Sequence, residues 1–313
     1  MIALAQKKDA AQKSVAICGA AGQFGNVLVR TLHRTHDVIA VDSRAFDNCP
    51  ADVRHHQAEL TRRSTKNLFR KGIFDTVIHV GANTTSERRG PTKFSRAVEN
   101  YARLLEYCDA YDVRKLILIS SANLYGARAE NSQFLEEKEP LLSPDLSSLR
   151  EIDMMTQSFF WKRPDIETVI FRPVHITGTS NGVLCRYLRH SRVPTLFGFN
   201  PMIQLVHEQD LVSAVTLALQ QKSRGIYNLA GPEAIPLKEI IRALKKETVE
   251  IPHPLARPVL RHLNKLGKLD IHPTYIDHIR YICMVNDKRA REELGYTNAY
   301  SLKQTIEAID LWS

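Results

Sequence analysis

Three glycines spaced by three, Gly19, Gly22 and Gly25, follow directly on the apolar run 14–18. Their chemistry is permissive: without side chains, the backbone can pass within contact distance of a pyrophosphate. The phosphate charge then rests on N–H groups at the start of the next helix, here from Gln23 and Phe24 onward. The other half of such a site is an acid about 20 residues further on, at the end of the following strand, to accept hydrogen bonds from an adenosine ribose. Asp42 closes the apolar run 38–41 and takes that place, with Ser43 beside it. A carboxylate there repels a 2′-phosphate and points to NAD. Arg44, two residues later, is able to clamp a 2′-phosphate, so NADP stays open.

The elements that must position these groups are legible as periodicity. Residues 15–18 predict a buried parallel strand, and 24–32 a helix with Val27, Leu28 and Leu32 on one face. Strands follow at 75–80, 114–120 and 167–171. A long helix at 91–111 carries Ala97, Tyr101, Leu104, Leu105 and Cys108 at helical spacing, and another covers 149–161. Alternating strands and helices imply an α/β fold, a Rossmann-type doubly wound parallel sheet whose ligands bind at the carboxyl ends of the strands. Beyond Arg172 the pattern loosens: 204–206 and 226–229 read as strands, 208–220 as a helix, and 251–273 is rich in proline and histidine. The expected organisation is a polar, frayed N-terminus over 1–13 and a dinucleotide-binding domain over 14–175. Segments from about 200–230 complete its sheet, and a smaller C-terminal substrate lobe occupies most of 176–313.

Composition narrows the class of partner. The formal charge is +9, which raises nucleic acid or anionic membrane as partners. The basic residues are dispersed, however, over 62–63, 88–89, 186–192 and 257–268. Dispersed charge fits a solvated surface or anionic small-molecule sites, so no nucleic-acid partner is expected. Residues 254–269 could form a basic amphipathic helix, but Pro254 and Pro258 make a peripheral helix of the fold the better reading. The apolar runs are far shorter than the roughly 20 residues of a membrane span, and 2–5 is too short for the core of a signal peptide. Five widely spaced cysteines suit buried thiols in a reducing cytoplasm. Twelve histidines include the pair His55-His56, read as a surface pair, and lack any metal-ligand spacing; no metal is expected.

With these residues placed, the chain resembles the extended short-chain dehydrogenase/reductase superfamily, the NAD-dependent epimerase/dehydratase group, from about residue 14 to 308. Gly19 to Gly25 matches its Gly-x-x-Gly-x-x-Gly, and Ala58-Glu59-Leu60 stands where relatives carry an Asp-Leu pair over the adenine. The segment ending Val80-Gly81-Ala82 looks like the strand approaching the nicotinamide ribose. Ser120-Ser121-Ala122-Asn123-Leu124-Tyr125-Gly126 is similar to the group's Ser-Ser-x-x-Val-Tyr-Gly, and Arg172-Pro173-Val174-His175 to the start of its Arg-Pro-x-Asn block. Later blocks at 206–210, 225–228 and 287–296 match in order. The resemblance implies NAD, a nucleotide-linked or similar small-molecule substrate, and a homodimer formed by the helices at 91–111 and 149–161. In the second of these helices Met154, Met155, Phe159, Phe160 and Trp161 offer apolar surface.

The resemblance breaks at the acid/base pair. Relatives carry Tyr-x-x-x-Lys after a Ser-Pro; here Ser143-Pro144 is followed by Asp145 in the tyrosine place and Leu149 in the lysine place, or, one residue on, by Leu146 and Arg150. General acid/base catalysis is worth roughly 10²–10⁴-fold, so its loss changes what the chain can do. Ser121 keeps the group's serine position, and Ala97 and His175 stand where relatives have asparagine. Ser121 is a candidate catalytic hydrogen-bond donor and not a base, and candidates for a rearranged proton route are His175 and Asp145, with Tyr125 a further possibility. Two functions are therefore open: an epimerase/dehydratase-like oxidoreductase with altered acid/base groups, or a non-catalytic NAD(P)-binding sensor.

Overall fold

The computed structural model describes residues 14–81, 91–111, 113–143, 146–179, 182–265 and 273–310. Within them the chain alternates as expected: β1 (Ser14–Cys18), α1 (Gln23–Leu32), β2 (Val38–Asp42), β3 (Arg54–Gln57), α2 (Arg63–Arg70), β4 (Phe74–Val80), α3 (Pro91–Ala110), β5 (Lys115–Ile119), α4 (Ser147–Lys162) and β6 (Glu167–Pro173). After β7 (His175–Thr177) come α5 (Val183–Leu188), β8 (Arg192–Leu196), β9 (Met202–His207), α6 (Glu208–Gln220) and β10 (Gly225–Leu229). The chain ends with β11 (Ala234–Pro236), α7 (Leu237–Ala243), β12 (Glu247–Ile251), α8 (His253–Lys265), α9 (Lys288–Leu294) and α10 (Leu302–Glu307).

Seven strands form one sheet in the order β10-β6-β5-β4-β1-β2-β3, each neighbouring pair parallel. Parallel strands need crossovers, and these place helices on both faces, so the inner strands are largely buried and mostly apolar. Side chains alternate between two cores. Ile17, Ile78, Ile117 and Val169 pack against α1 and α6; Ala16, Val77, Leu116 and Ile170 pack against α3 and α4. The strand order reverses between β1 and β4, which opens a crevice at the carboxyl ends where a ligand can lie across the sheet.

Of the segment 200–230, β10 pairs with β6 to finish the large sheet, whereas β9 joins a three-stranded sheet with β7 and β11. β8 and β12 form a two-stranded parallel sheet. A separate core, including Leu188, Leu205, Ile240 and Ile309, unites these smaller pieces. His55 and His56 lie in the polar edge strand β3, opposite Ala40 and Val41 of β2. The expected basic helix is α8, with Pro258 inside it. No described helix is long and apolar enough to cross a membrane.

Candidate functional site

The glycine loop joins β1 to α1, and its shape demands glycine for three different reasons. Gly19 has φ +87°, a left-handed conformation that L side chains rarely adopt. At Gly25 a Cβ would lie 2.1 Å from the Gly19 carbonyl oxygen, so the first turn of α1 packs directly on the loop. At Gly22 a Cβ would lie 3.0 Å from the same oxygen and 3.5 Å from Arg44 Nη2. Gly22 is also the N-cap of α1 and carries no side chain to cap it. The loop therefore leaves bare backbone beside the positive end of a ten-residue helix. Phe24, expected at this surface, is buried in the core beneath it.

Asp42 ends β2 next to this loop, 8% exposed. Its Oδ2 accepts from Ala21 N at 3.1 Å and Arg44 Nη2 at 3.0 Å. Its Oδ1 accepts from Arg44 N at 2.9 Å and Arg44 Nε at 3.1 Å. Burial alone raises its pKa, but the hydrogen bonds and charge of Arg44 outweigh this and hold the carboxyl below its ordinary value. Ser43 lies between the two partners. Beyond β3, Glu59 is engaged by the Arg96 guanidinium of α3, and Leu60 is buried in the core.

At the ends of β4, β5 and β6 the chain builds a buried polar network. The carboxylate of Asp153, on α4, accepts from Ser120 Oγ at 2.6 Å and Gln157 Nε2 at 2.8 Å. It also takes both arms of Arg172, Nη2 at 2.7 Å and Nε at 3.1 Å. Arg172 Nη1 donates to Tyr125 Oη at 2.9 Å and the Glu137 carbonyl at 3.0 Å, and Tyr125 Oη donates to Asn228 Oδ1 at 2.8 Å. Burial opposes the Arg172 charge, but Asp153 more than compensates and raises its pKa. Nothing in the sequence pattern singled out Asp153; its spacing of one helical turn from Leu149 was the available signal. Leu149 is buried, and its Cδ1 lies 2.7 Å from where a Cβ of Gly81 would stand, against the end of β4. Leu149 thus brings a methyl group to the end of β4. Val80 packs on the core below, and Pro173 and Val174 pair with and donate to Leu229.

Ser121 Oγ accepts from Asn123 N at 3.2 Å and caps a short 3₁₀ turn at residues 122–125. Tyr125 is held as donor and acceptor at once, and burial pushes its pKa up to about 12. His175, on β7, faces His278 edge-on with ring centroids 6.4 Å apart. Burial, and then the proximity of His278, depress its pKa to about 3; burial depresses His278 to about 4. The imidazole is neutral at neutral pH and too weak a base to be poised there. Asp145 and Ala82 lie outside the described residues. The chain does contain one Tyr-x-x-x-Lys spacing, Tyr111 to Lys115. Lys115 opens the interior strand β5 at its amino end, away from the carboxyl ends of the strands, where its Nζ donates to Gln221 O at 2.7 Å and pairs with Glu167 at 2.9 Å.

The comparisons agree with this geometry. The NAD dependent epimerase/dehydratase family model matches residues 15–230. The uncharacterized protein Rv0501 of Mycobacterium tuberculosis is 28% identical, covering 95% of this chain and 82% of its own. The uncharacterized protein YbjS of Escherichia coli is 24% identical, covering 84% and 83%. Among solved structures, UDP-glucose 4-epimerase of Thermotoga maritima, with UDP-glucose, superimposes with a TM-score of 0.75 at 19% identity, covering 95% of this chain and 97% of that one. The NAD dependent NDP-hexosamine 5,6-dehydratase TunA gives 0.73 at 15% identity, covering 96% and 97%.

Two outcomes test the network and the histidines. Asp153→Ala leaves Arg172 buried without its counter-ion and lowers stability by about 3–5 kcal/mol; urea unfolding measures it, and a loss below 1 kcal/mol would show that the pair holds nothing in place. The two imidazoles stay neutral in the folded chain down to about pH 4, yet protonate near pH 6.5 when unfolded. The unfolded state then binds more protons, so stability falls as pH drops from about 6.5 towards 4. In His175→Asn the stability difference between pH 7.5 and pH 5 shrinks by roughly 1–2 kcal/mol; an unchanged difference would mean that His175 titrates alike in both states.

Proposed function

The chain belongs to the NAD dependent epimerase/dehydratase family, and from that premise we propose that it is an NAD-binding oxidoreductase of the extended short-chain dehydrogenase type with rearranged acid/base groups. Its substrate on this reading is a nucleotide-linked sugar or a similar small molecule, the class to which the UDP-glucose held by the Thermotoga maritima epimerase belongs. The observation that carries the reading is the cradle. Three glycines whose Cβ positions are strained, closed or lined by Arg44, the start of α1 and the acid Asp42 converge where the strand order reverses. Gly19, Gly22, Gly25 and the residues opening α1, Gln23 and Phe24, would hold the pyrophosphate. Asp42 and Ser43 would meet the adenosine ribose, Glu59 and Leu60 the adenine side, and Val80, Gly81, Ser120, Pro173 and Val174 the nicotinamide side. When bound, NAD supplies the hydride acceptor.

The chain's own task is then to orient a hydroxyl and remove its proton. Ser121 is the proposed hydrogen-bond donor to the substrate. Asp145, four residues ahead of the Leu149 that meets Gly81, is the proposed base, because the depressed basicity of His175 suits it to a neutral hydrogen-bonding role. A second reading, a non-catalytic sensor in which NAD occupancy alters a partner, is favoured by one observation: Leu149 puts an apolar group against the end of β4. The proposed compartment is the cytoplasm, in keeping with five free cysteines.

Calorimetric titration with NAD, followed by absorbance of reduced nicotinamide on adding UDP-glucose and related nucleotide sugars, separates the readings. Binding with reduction is the expected result. Binding without reduction across the panel leaves the sensor, and no binding removes both. We further propose a homodimer through α3 and α4. Trp161 and Met154 on α4 are 77% and 50% exposed, while Phe159 is buried and Met155 packs on the core, so these two carry the apolar contact. Light scattering at micromolar concentration should give twice the monomer mass; a monomer would remove the proposal.

A further inference from the structure

Away from the cradle, one corner of the smaller lobe leaves large apolar side chains in solvent. β8 and β12 run parallel with Leu196 opposite Ile251, and the chain leaves β8 through a tight turn. Phe199 N donates to Leu196 O at 3.1 Å, and Gly198 takes the φ of +80° that such a turn requires. Phe197 stands at the outer corner of this turn, 67% exposed. Its N–H donates to Ile251 O at 3.0 Å, which brings it beside the start of α8, where Leu255 is 55% exposed. The Phe199 and His253 rings, 5.9 Å apart, fasten the turn to the helix, and the Arg280 guanidinium lies over the Phe199 ring. α8 spends Ala256 and Val259 on the lobe core and leaves Pro254, Leu255, Arg257 and Pro258 exposed. Residues 251–269 include Arg257, Arg261, Lys265 and Lys268 and no acid. On β12, Glu247 and Glu250 are each paired with a base, Arg192 and Lys238.

We propose that this corner docks on an anionic lipid surface, with Phe197 and Leu255 entering the interface and the cations of the α8 segment meeting the headgroups. An aromatic ring at the tip of a turn is a protrusion. A fluid bilayer receives it without a matching cavity, whereas a protein partner must supply one. Each Lys or Arg held near an anionic bilayer strengthens binding about fivefold, and the formal charge of +9 acts in the same direction. The contact is peripheral: the apolar residues Ala256 and Val259 are already used against the lobe, so α8 lies along the protein and only its flank and the neighbouring turn reach the lipid. The basic stretch alone did not reveal this surface, because Phe197 joins Leu255 only through the pairing of β8 with β12. The inference is independent of the cofactor reading.

Flotation of the full chain with vesicles of phosphatidylcholine, and with vesicles of equal parts phosphatidylcholine and phosphatidylglycerol, tests it at low and high salt. Recovery with the anionic vesicles at least about tenfold above the neutral ones, and reduced by salt, is the expected result. Phe197→Ser combined with Leu255→Ser should weaken partitioning by roughly tenfold or more. Arg257→Gln combined with Arg261→Gln should weaken it by about fivefold for each charge. Phe197, Leu255 and Arg257 are exposed, and thermal unfolding verifies that the variants keep the fold. Absence of partitioning, equal recovery with both kinds of vesicle, or undiminished partitioning of the Phe197 and Leu255 variant overturns the proposal. Retention on duplex DNA without vesicle binding overturns it too and assigns the charge to nucleic acid.

Discussion

Burying a guanidinium with a carboxylate removes hydration worth several kcal/mol from each, and the loss is recovered only where every donor and acceptor finds a partner. Asp153, with four hydrogen bonds, meets that condition and Arg172 comes close to it, with four of its five N–H groups bonded and the side chains 0% and 1% exposed. Their partners come from β5, α4, the 3₁₀ turn, the loop before α4 and β10: Ser120, Gln157, Tyr125, Glu137 and, through Tyr125, Asn228. A small displacement of any of these elements would strand a buried charge. The pair therefore fixes the angle of α4 over the strand ends, and with it the direction of Leu149 one turn earlier. The approach of an apolar side chain to Gly81 follows from this helix register as much as from the residue that occupies it.

The two ends of the site are built by different physics. At the glycine loop the backbone does the work: positive φ at Gly19 and closed space at Gly25 are geometric demands that any side chain would violate. On the opposite side the side chains that could move a proton are held in structural bonds. Ser121 caps a turn, Tyr125 bridges Arg172 and Asn228, and His175 is kept neutral. The cradle is thus the better-defined half, and the chemistry rests on which groups approach from outside this network.

Legibility followed burial. The inner strands β1, β2, β4, β5 and β6 are apolar on both faces, so their runs announce themselves. The edge strand β3, with residues Arg54 to Gln57, and α2, with Arg63, Lys66 and Arg70, carry too few apolar residues to show a period. Short elements of the smaller sheets, such as β7 and β11, are three residues each, below the length at which alternation can be seen. Among site residues, Gly19, Gly22, Gly25 and Asp42 were legible from spacing. Asp153 and Arg96 were not, because each acquires its role only by meeting a residue far away in the chain.

By itself, the sequence determined the order of strands and helices, the glycine turn with its acid, and the want of tyrosine and lysine at the expected places, since all of these depend on local periodicity and residue type. Only the tertiary structure decided that Arg44 and the Ala21 backbone together fill the acceptors of Asp42, that Leu149 rather than a polar group lies against Gly81, and that burial depresses the basicity of His175. Hydrogen-bond saturation, van der Waals contact and desolvation are properties of neighbours in space, and the neighbours here come from separate elements or from the fold of a loop.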